Sequence, residues 1–248
     1  MRTHAVFLRL EGRRCVVIGG DAVAEPKIVA CLEAGADVTA GPSADVVWSS
    51  AMDLQMKLVN DGYAQAHRSE ETAALPAWAS WRNEAFGTTY EPAALVYNTR
   101  LLASTEVPTT HPELLRLLTQ QRHRLTGKVS TYDPGRSGVG FLLQTQDEQA
   151  NPVVFWALAR AFGAVDVTAL PNTSDMLDKV ARGELALAYN ALGTYALTFA
   201  RGDPRVGVQL FEDYTLVMSR VIFIARRARH PNAARLWMEY LYSDEGQL

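Results

Sequence analysis

The run Asp133-Pro134-Gly135-Arg136-Ser137-Gly138 holds the residue types best suited to binding chemistry in this chain. It leads into a helix-like stretch from about Val139. Free N–H groups and the helix dipole at such a start favour an anion. Arg136 adds a planar donor able to grip a carboxylate or phosphate in two-pronged fashion. Ser137 equally suits a plain helix cap, with Gly138 as its turn. Ser49 and Ser50 close one apolar strand-like run, and Tyr189 and Asn190 close another. Such pairs stand where open α/β sheets bind ligands, beyond the carboxyl ends of strands. Ordinary readings stay open beside these: Ser49-Ser50 as caps for a helix from Met52, and Tyr189 as a half-buried strand tyrosine. Glu91, before Pro92, reads as a ligand-facing carboxylate or a solvated turn. Asp213, beside Tyr214, reads as ligand-facing or simply water-facing.

Catalytic signatures are missing. No nucleophile–base–orienter set stands out, and no serine lies in a Gly-x-Ser-x-Gly elbow. Metalloprotease and paired-cysteine spacings are also absent. The five histidines include His111 and His230, each before a proline at a helix start, which reads as capping. Cys15 and Cys31 read as buried free thiols rather than a disulfide. A binding protein is therefore expected, not an enzyme, and no cofactor is implied.

The elements that must position these residues alternate. Cys15–Gly20 reads as a buried strand, Asp21–Ala34 as a helix that Pro26 starts late or kinks, and Asp37–Ala40 as a second strand. Ala44–Ser50, Phe86–Tyr97, Gly127–Tyr132, Val165–Thr168, Leu185–Tyr189, Val206–Leu210 and Leu216–Ile224 read as further strands. Thr110-His111-Pro112-Glu113 starts a helix, with Thr as cap, Pro in the first turn and Glu three residues on. Asn151-Pro152, Asn172-Thr173-Ser174 and His230-Pro231-Asn232 open others. In the last helix Ala234, Trp237 and Leu241 are expected on one buried face. Alternation of this kind predicts an α/β fold with mostly parallel sheets, two rather than one.

Several stretches together resemble the periplasmic solute-binding proteins of iron-type ABC importers. They are Ala44–Ser50, Gly87–Pro92 with Val96-Tyr97-Asn98, Asp133–Gly140, Leu187–Gly193, Asp213-Tyr214-Thr215 and His230–Ala234. The resemblance runs from about Ala44 to the end. It implies a two-lobed, type II periplasmic-binding-protein-like fold, here truncated, with ligand held between the lobes. The lobes are expected at residues 1–97 with 207–248 and at 98–206. Tyr90 and Glu91 then sit mid-crossing, and Asp213 and Tyr214 beside the returning crossover. The implied ligand-binding set is Ser49, Ser50, Tyr90, Glu91, Arg136, Ser137, Gly138, Tyr189, Asn190, Asp213 and Tyr214. The resemblance also implies an ABC permease as partner, a monomer and a periplasmic setting. Ferric relatives often use two adjacent tyrosines as hard oxygen donors. Here Tyr189-Asn190 and a separate Tyr195 stand instead, so a small anion or a ferric chelate with carboxylates fits at least as well as bare iron.

Residues 5–41, with Gly19-Gly20-Asp21-Ala22-Val23-Ala24, resemble the Rossmann-like βαβ start of precorrin-2 dehydrogenase (siroheme synthase). That implies an NAD-dependent fragment as the alternative, or an inert fusion. No acidic ribose partner follows; the chain reads Ala40-Gly41-Pro42-Ser43. A βαβ unit standing in for the first part of lobe one is the expectation.

The 248 residues suffice for two modest cores, and a net charge of −3 provides no field to attract nucleic acid. No apolar run spans a bilayer. Met1–Leu10 lacks the apolar content of a signal peptide, which taken literally predicts a cytoplasmic chain.

Overall fold

The computed structural model describes residues 8–10, 13–15 and 44–247. Leu8–Leu10 (β1) pairs antiparallel with Arg13–Cys15 (β2). The expected helix and second strand between Asp21 and Ala40, the glycine turn, and Cys31 lie outside the described residues. The rest runs Val46–Ser49 (β3), Met52–Asn60 (α1), Glu70–Ala74 (α2), Ser80–Trp81 (β4), Ala85–Gly87 (β5) and Glu91–Asn98 (β6). There follow His111–Gln120 (α3), Arg122–Leu125 (α4), Val129–Tyr132 (β7), Gly138–Ala150 (α5), Pro152–Ala164 (α6) and Thr168–Leu170 (β8). Thr173–Ala181 (α7), Leu187–Leu192 (β9), Gly193–Gly202 (α8), Val206–Gln209 (β10), Val217–Met218 (β11), Val221–Ile224 (β12) and Pro231–Tyr242 (α9) complete the frame.

The chain divides into two compact units, Met1–Tyr90 with Ser219–Leu248, and Glu91–Met218. The lobe bounds that the resemblance implies lie near residues 97 and 206. The difference lies in β6 and β10: β6 pairs with β9, β10 and β11, so all of these belong to one sheet.

In the first unit the sheet order is β3-β12-β5-β4. Every pairing in it is antiparallel: β12 enters between β3 and β5 in the opposite direction, and β4 and β5 form a short hairpin. Val59, Ala85, Val221 and Phe223 pack on the α1 face. Phe86, Ile222, Ile224, Ala234 and Met238 pack on the α9 face. Trp237, expected inside, is 43% exposed; Met238 takes the buried position, beside Ala234. Asp45 holds the start of α9: its carboxylate accepts from His230 N–H and meets His230 Nδ1, both at 2.9 Å. The His230 side chain makes no cap of its own.

In the second unit the order is β10-β6-β9-β7-β8. Only β7–β8 and β7–β9 are parallel. The expectation of mostly parallel sheets therefore fails, since the long strand β6 runs against β9 and β10. Leu114, Leu118, Leu158 and Phe162 cover one face of the sheet, and Met176, Val180 and Ala196 the other. These apolar positions recur at helical spacing in α3, α6, α7 and α8, so each helix lays one stripe on the sheet. Val165–Thr168, expected as a strand, is displaced to Thr168–Leu170. Asp166 turns the chain there with φ +49°.

Candidate functional site

At one edge of the second sheet, chain direction sets up an anion-binding geometry. Strand β7 is parallel to β8 and β9, so their carboxyl ends share an edge. Each strand is followed by a helix: α5 from Gly138, α7 from Thr173 and α8 from Gly193. The free N–H groups and positive dipole ends of these helices favour negative charge. Thr173 ties the edge together. Its Oγ1 accepts from Leu192 N–H at 3.3 Å and bonds the Tyr132 hydroxyl. Burial pushes the Tyr132 phenol up to about 12, so it remains a neutral donor or acceptor. A Cβ on Gly140 would lie 2.3 Å from Tyr132 Cβ, so only glycine lets α5 start this close to the strand.

Ser137 is the α5 cap: its Oγ accepts from Gly140 N–H at 3.1 Å. Arg136 is exposed, and its guanidinium pairs with no carboxylate among the described residues. Glu91 is buried at the start of β6, and its charge bears on Tyr132. Tyr195, in the first turn of α8, is about half exposed.

Four of the expected ligand residues gather elsewhere in this unit. Tyr189, Asn190 and Tyr214 all donate to Asp147, at 2.7, 2.6 and 3.2 Å. Asp147 is 1% exposed, near the C-terminal end of α5. It lies about 15 Å along the helix from Ser137, at 1.5 Å per residue. The exposed Asp213 accepts from His111 N–H at 3.2 Å and meets His111 Nδ1 at 3.0 Å. His111 stacks on Tyr214, ring centres 4.0 Å apart and 7° from parallel. His111 was expected as a cap; instead Thr110 caps α3, and His111 is buried among aromatic rings. Asp213 does not simply face water: it anchors the start of α3.

A bulge brings Tyr189 and Asn190 to the same carboxylate. Ala94 pairs with Ala191 and Val96 with Ala188, so β9 uses three steps where β6 uses two. The extra residue breaks the alternation of faces. Asn190 takes φ +59°, a left-handed conformation that asparagine tolerates better than most residues. Burial drives the Asp147 carboxyl up, against the lowering effect of its three donors and of His111. Burial first, and then the Asp147 charge, push the Tyr189 phenol well above its ordinary range and the Tyr214 phenol up as well.

In the first unit, Ser49 accepts from Ala51 N–H at 3.1 Å, just before α1. Ser50 is buried, yet its hydroxyl bonds nothing among the described residues. Tyr90 is exposed at the end of the β5 side and sits edge-on to Trp78, 5.6 Å between centres. Asp147, Thr173, Tyr195 and Trp78 were not singled out from sequence as ligand-binding residues. Asp147 lies in the polar run Gln144-Thr145-Gln146-Asp147-Glu148, which reads as a solvated helix face.

Comparison with known proteins settles the family. The family model for bacterial extracellular solute-binding protein matches residues 18–248. The chain belongs to this family. A solved substrate binding protein of an ABC transporter from Agrobacterium tumefaciens is 38% identical, with a TM-score of 0.81, over 92% of this chain. The solute-binding chain spans 66% of that structure's length. Iron-bound HitA from Pseudomonas aeruginosa shares the fold at 20% identity and TM-score 0.72, over 90% of this chain and 71% of its own. So does AfuA from Actinobacillus pleuropneumoniae with exogenous fructose-6-phosphate, at 20% and 0.68, over 92% and 70%. The α/β fold is thus that of periplasmic binding proteins. No curated protein matches. The likeness of residues 5–41 to precorrin-2 dehydrogenase finds no support, since residues 18–41 fall within the solute-binding match itself. Among the described residues no helix is long and apolar enough to cross a membrane, and no cluster of three His, Cys, Asp or Glu side chains suits a metal ion.

Proposed function

We propose that the chain is the solute-binding component of an ABC importer, capturing a small anion or a ferric complex outside the cytoplasm and presenting it, as a monomer, to an ABC permease. Its 38% identity to the Agrobacterium tumefaciens protein over 92% of the chain supports the importer role. The observation that carries the ligand class is the shared edge of α5, α7 and α8, with Ser137, Gly138 and the exposed Arg136 at one helix start. Three dipole ends and a guanidinium favour an anion over a neutral solute. The iron of HitA and the fructose-6-phosphate of AfuA belong to those proteins and favour neither choice here.

Bare ferric ion fits less well than an anion. Iron would need phenolates, and burial first, then the carboxylate of Asp147 to which they donate, keeps the Tyr189 and Tyr214 hydroxyls protonated. A ferric chelate presenting carboxylates remains compatible with the same helix starts.

Calorimetry and thermal unfolding with inorganic phosphate, phosphate esters and ferric citrate test the reading. A ligand that binds the native state raises the melting temperature. Saturable binding of one of these, weakened at least tenfold in Arg136→Ala, is expected. No shift and no heat with any of them would sink the proposal.

A further inference from the structure

The helices on one face of the second sheet carry charge of nearly one sign. Leu114 and Leu118 of α3, Leu125 of α4, and Leu158 and Phe162 of α6 share a single core. Their outward faces therefore form one layer. Histidines aside, the charged residues of these three helices are Arg116, Arg122, Arg124, Arg160 and one carboxylate, Glu113. Glu113 is partly buried and accepts from Thr109 N–H at 2.9 Å. Arg124 pairs with Glu106, outside these helices. Helices α7 and α8, on the opposite face, set Asp175 and Asp178 beside Lys179 and Arg201, so their charges balance. A net charge of −3 for the whole chain hides this asymmetry.

Helical spacing puts the arginines outside. Arg116 stands two residues from both Leu114 and Leu118, about 200° round the helix from each, and is exposed. Trp156 and Arg160 flank Leu158 in the same way, and both are exposed. Arg122 Nε donates to Ala164 C=O at 2.9 Å, which ties the ends of α4 and α6 together. Packed helices lie roughly 8–10 Å apart, about one screening length in dilute salt, so these cations act jointly on a nearby surface. Asp166, exposed in the turn after α6, weakens the field at that end.

An apolar stripe runs between the cations. Val153, Trp156 and Arg160 follow one another up α6 at spacings of three and four, on one face. Val153 is 79% exposed and Trp156 55%. Phe155 braces the Trp156 ring edge-on, 5.2 Å between centres. The Trp156 indole N–H makes no hydrogen bond among the described residues, whereas those of Trp48 and Trp81 meet Thr88 and Asn60. Exposed apolar groups of this size mark a contact surface.

Phosphate oxygens accept from guanidinium groups, and Trp favours the headgroup boundary, with its ring in the apolar layer and its N–H toward the polar one. We propose that the outward faces of α3 and α6 form a docking surface for an anionic phospholipid bilayer, with Val153 and Trp156 at the headgroup boundary and Arg116 and Arg160 on lipid phosphates. The contact is peripheral, since no described helix is long and apolar enough to cross a membrane. So few arginines make it reversible and salt-sensitive. The exposed Leu236, Trp237 and Tyr240 of α9 lack such a rim, because the acidic Asp244 and Glu245 follow them. The proposal goes beyond solute capture and does not depend on the solute.

Co-sedimentation of the full chain with vesicles of phosphatidylcholine alone, or mixed with phosphatidylglycerol, tests it. Binding to the mixed vesicles is expected to be roughly tenfold tighter and to vanish at high salt. Trp156→Ala, and Arg116→Gln combined with Arg160→Gln, should each lose most of it, while Trp237→Ala binds like the native chain. Brominated lipid should quench Trp emission in the native chain and clearly less in Trp156→Phe. Circular dichroism checks that each variant folds. Equal binding to both vesicle types, binding to neither, or full binding by the double arginine variant overturns the proposal. So does a loss in Trp237→Ala as large as in Trp156→Ala. Sedimentation equilibrium that shows a dimer abolished by Trp156→Ala assigns the face to a second copy instead and also overturns it. Solute binding, measured separately by calorimetry, stands or falls on its own.

Discussion

Asp147 accepts a hydrogen bond from the Tyr189 hydroxyl at 2.7 Å, joining α5 to β9 beneath the surface. Asn190 and Tyr214 complete the shell, so one carboxylate fastens a helix, a bulged strand and the segment after β10. A buried carboxylate with no cation at contact distance among the described residues is costly, and these donors offset that cost, with His111 nearby.

Removing that acceptor strands three donors. Asp147→Ala is expected to cost about 3 kcal/mol, and Asp147→Asn clearly less, since an amide oxygen still accepts. Urea unfolding of the two variants measures the difference. No loss in either would mean that the contacts carry no net stability.

The same residue sets a pH dependence. Burial raises the Asp147 carboxyl above its unfolded value. A group raised on folding contributes stability that is full below the unfolded value and is lost as pH rises through the folded one. Stability should therefore fall from about pH 4 upward by this component, and Asp147→Asn should flatten it. Urea midpoints across that range, compared between native chain and variant, read it out.

Asn190 holds φ +59° and also donates to Asp147. Asn190→Gly loses the hydrogen bond but tolerates the backbone. Asn190→Ala loses the bond and strains the backbone by roughly 1 kcal/mol more. Thermal unfolding should rank native, then Gly, then Ala; Ala above Gly would refute the bulge strain.

Gly140 lies against Tyr132, with a Cβ there only 2.3 Å from Tyr132 Cβ. Gly140→Ala should cost about 2 kcal/mol through overpacking and shift the start of α5. Anion affinity should fall with it. Loss of stability with intact phosphate binding would separate the helix start from the site.

Ser137→Ala removes the α5 cap and is expected to cost about 1 kcal/mol. Ser137→Asp keeps a cap but places a negative charge where an anion is proposed. Stability should then hold while binding drops, as calorimetry would show.

Much of this was written locally. Thr110-His111-Pro112-Glu113, Asn151-Pro152 and Asn172-Thr173 each start the helix their residue types specify, because a cap needs only neighbours in the chain. Ser137 caps α5 for the same reason. The stripe Leu114 and Leu118 is buried as helical spacing requires. Strand direction was not legible: parallel and antiparallel runs look alike until partners are chosen, and β6 and β12 chose antiparallel ones.

By itself, then, the chain determined its helix starts, its alternating α/β order and the polar residues at strand ends, since each depends on contacts a few residues apart. Only the tertiary structure decided which of those residues meet. The extra residue in β9 turns Tyr189 and Asn190 onto Asp147, 42 and 43 positions earlier in the chain. The row through Val221 sets Ser49 and Gly87 on either side of it, 172 and 134 positions earlier in the chain. Register and bulges arise from pairing between distant segments, and no short-range pattern encodes them.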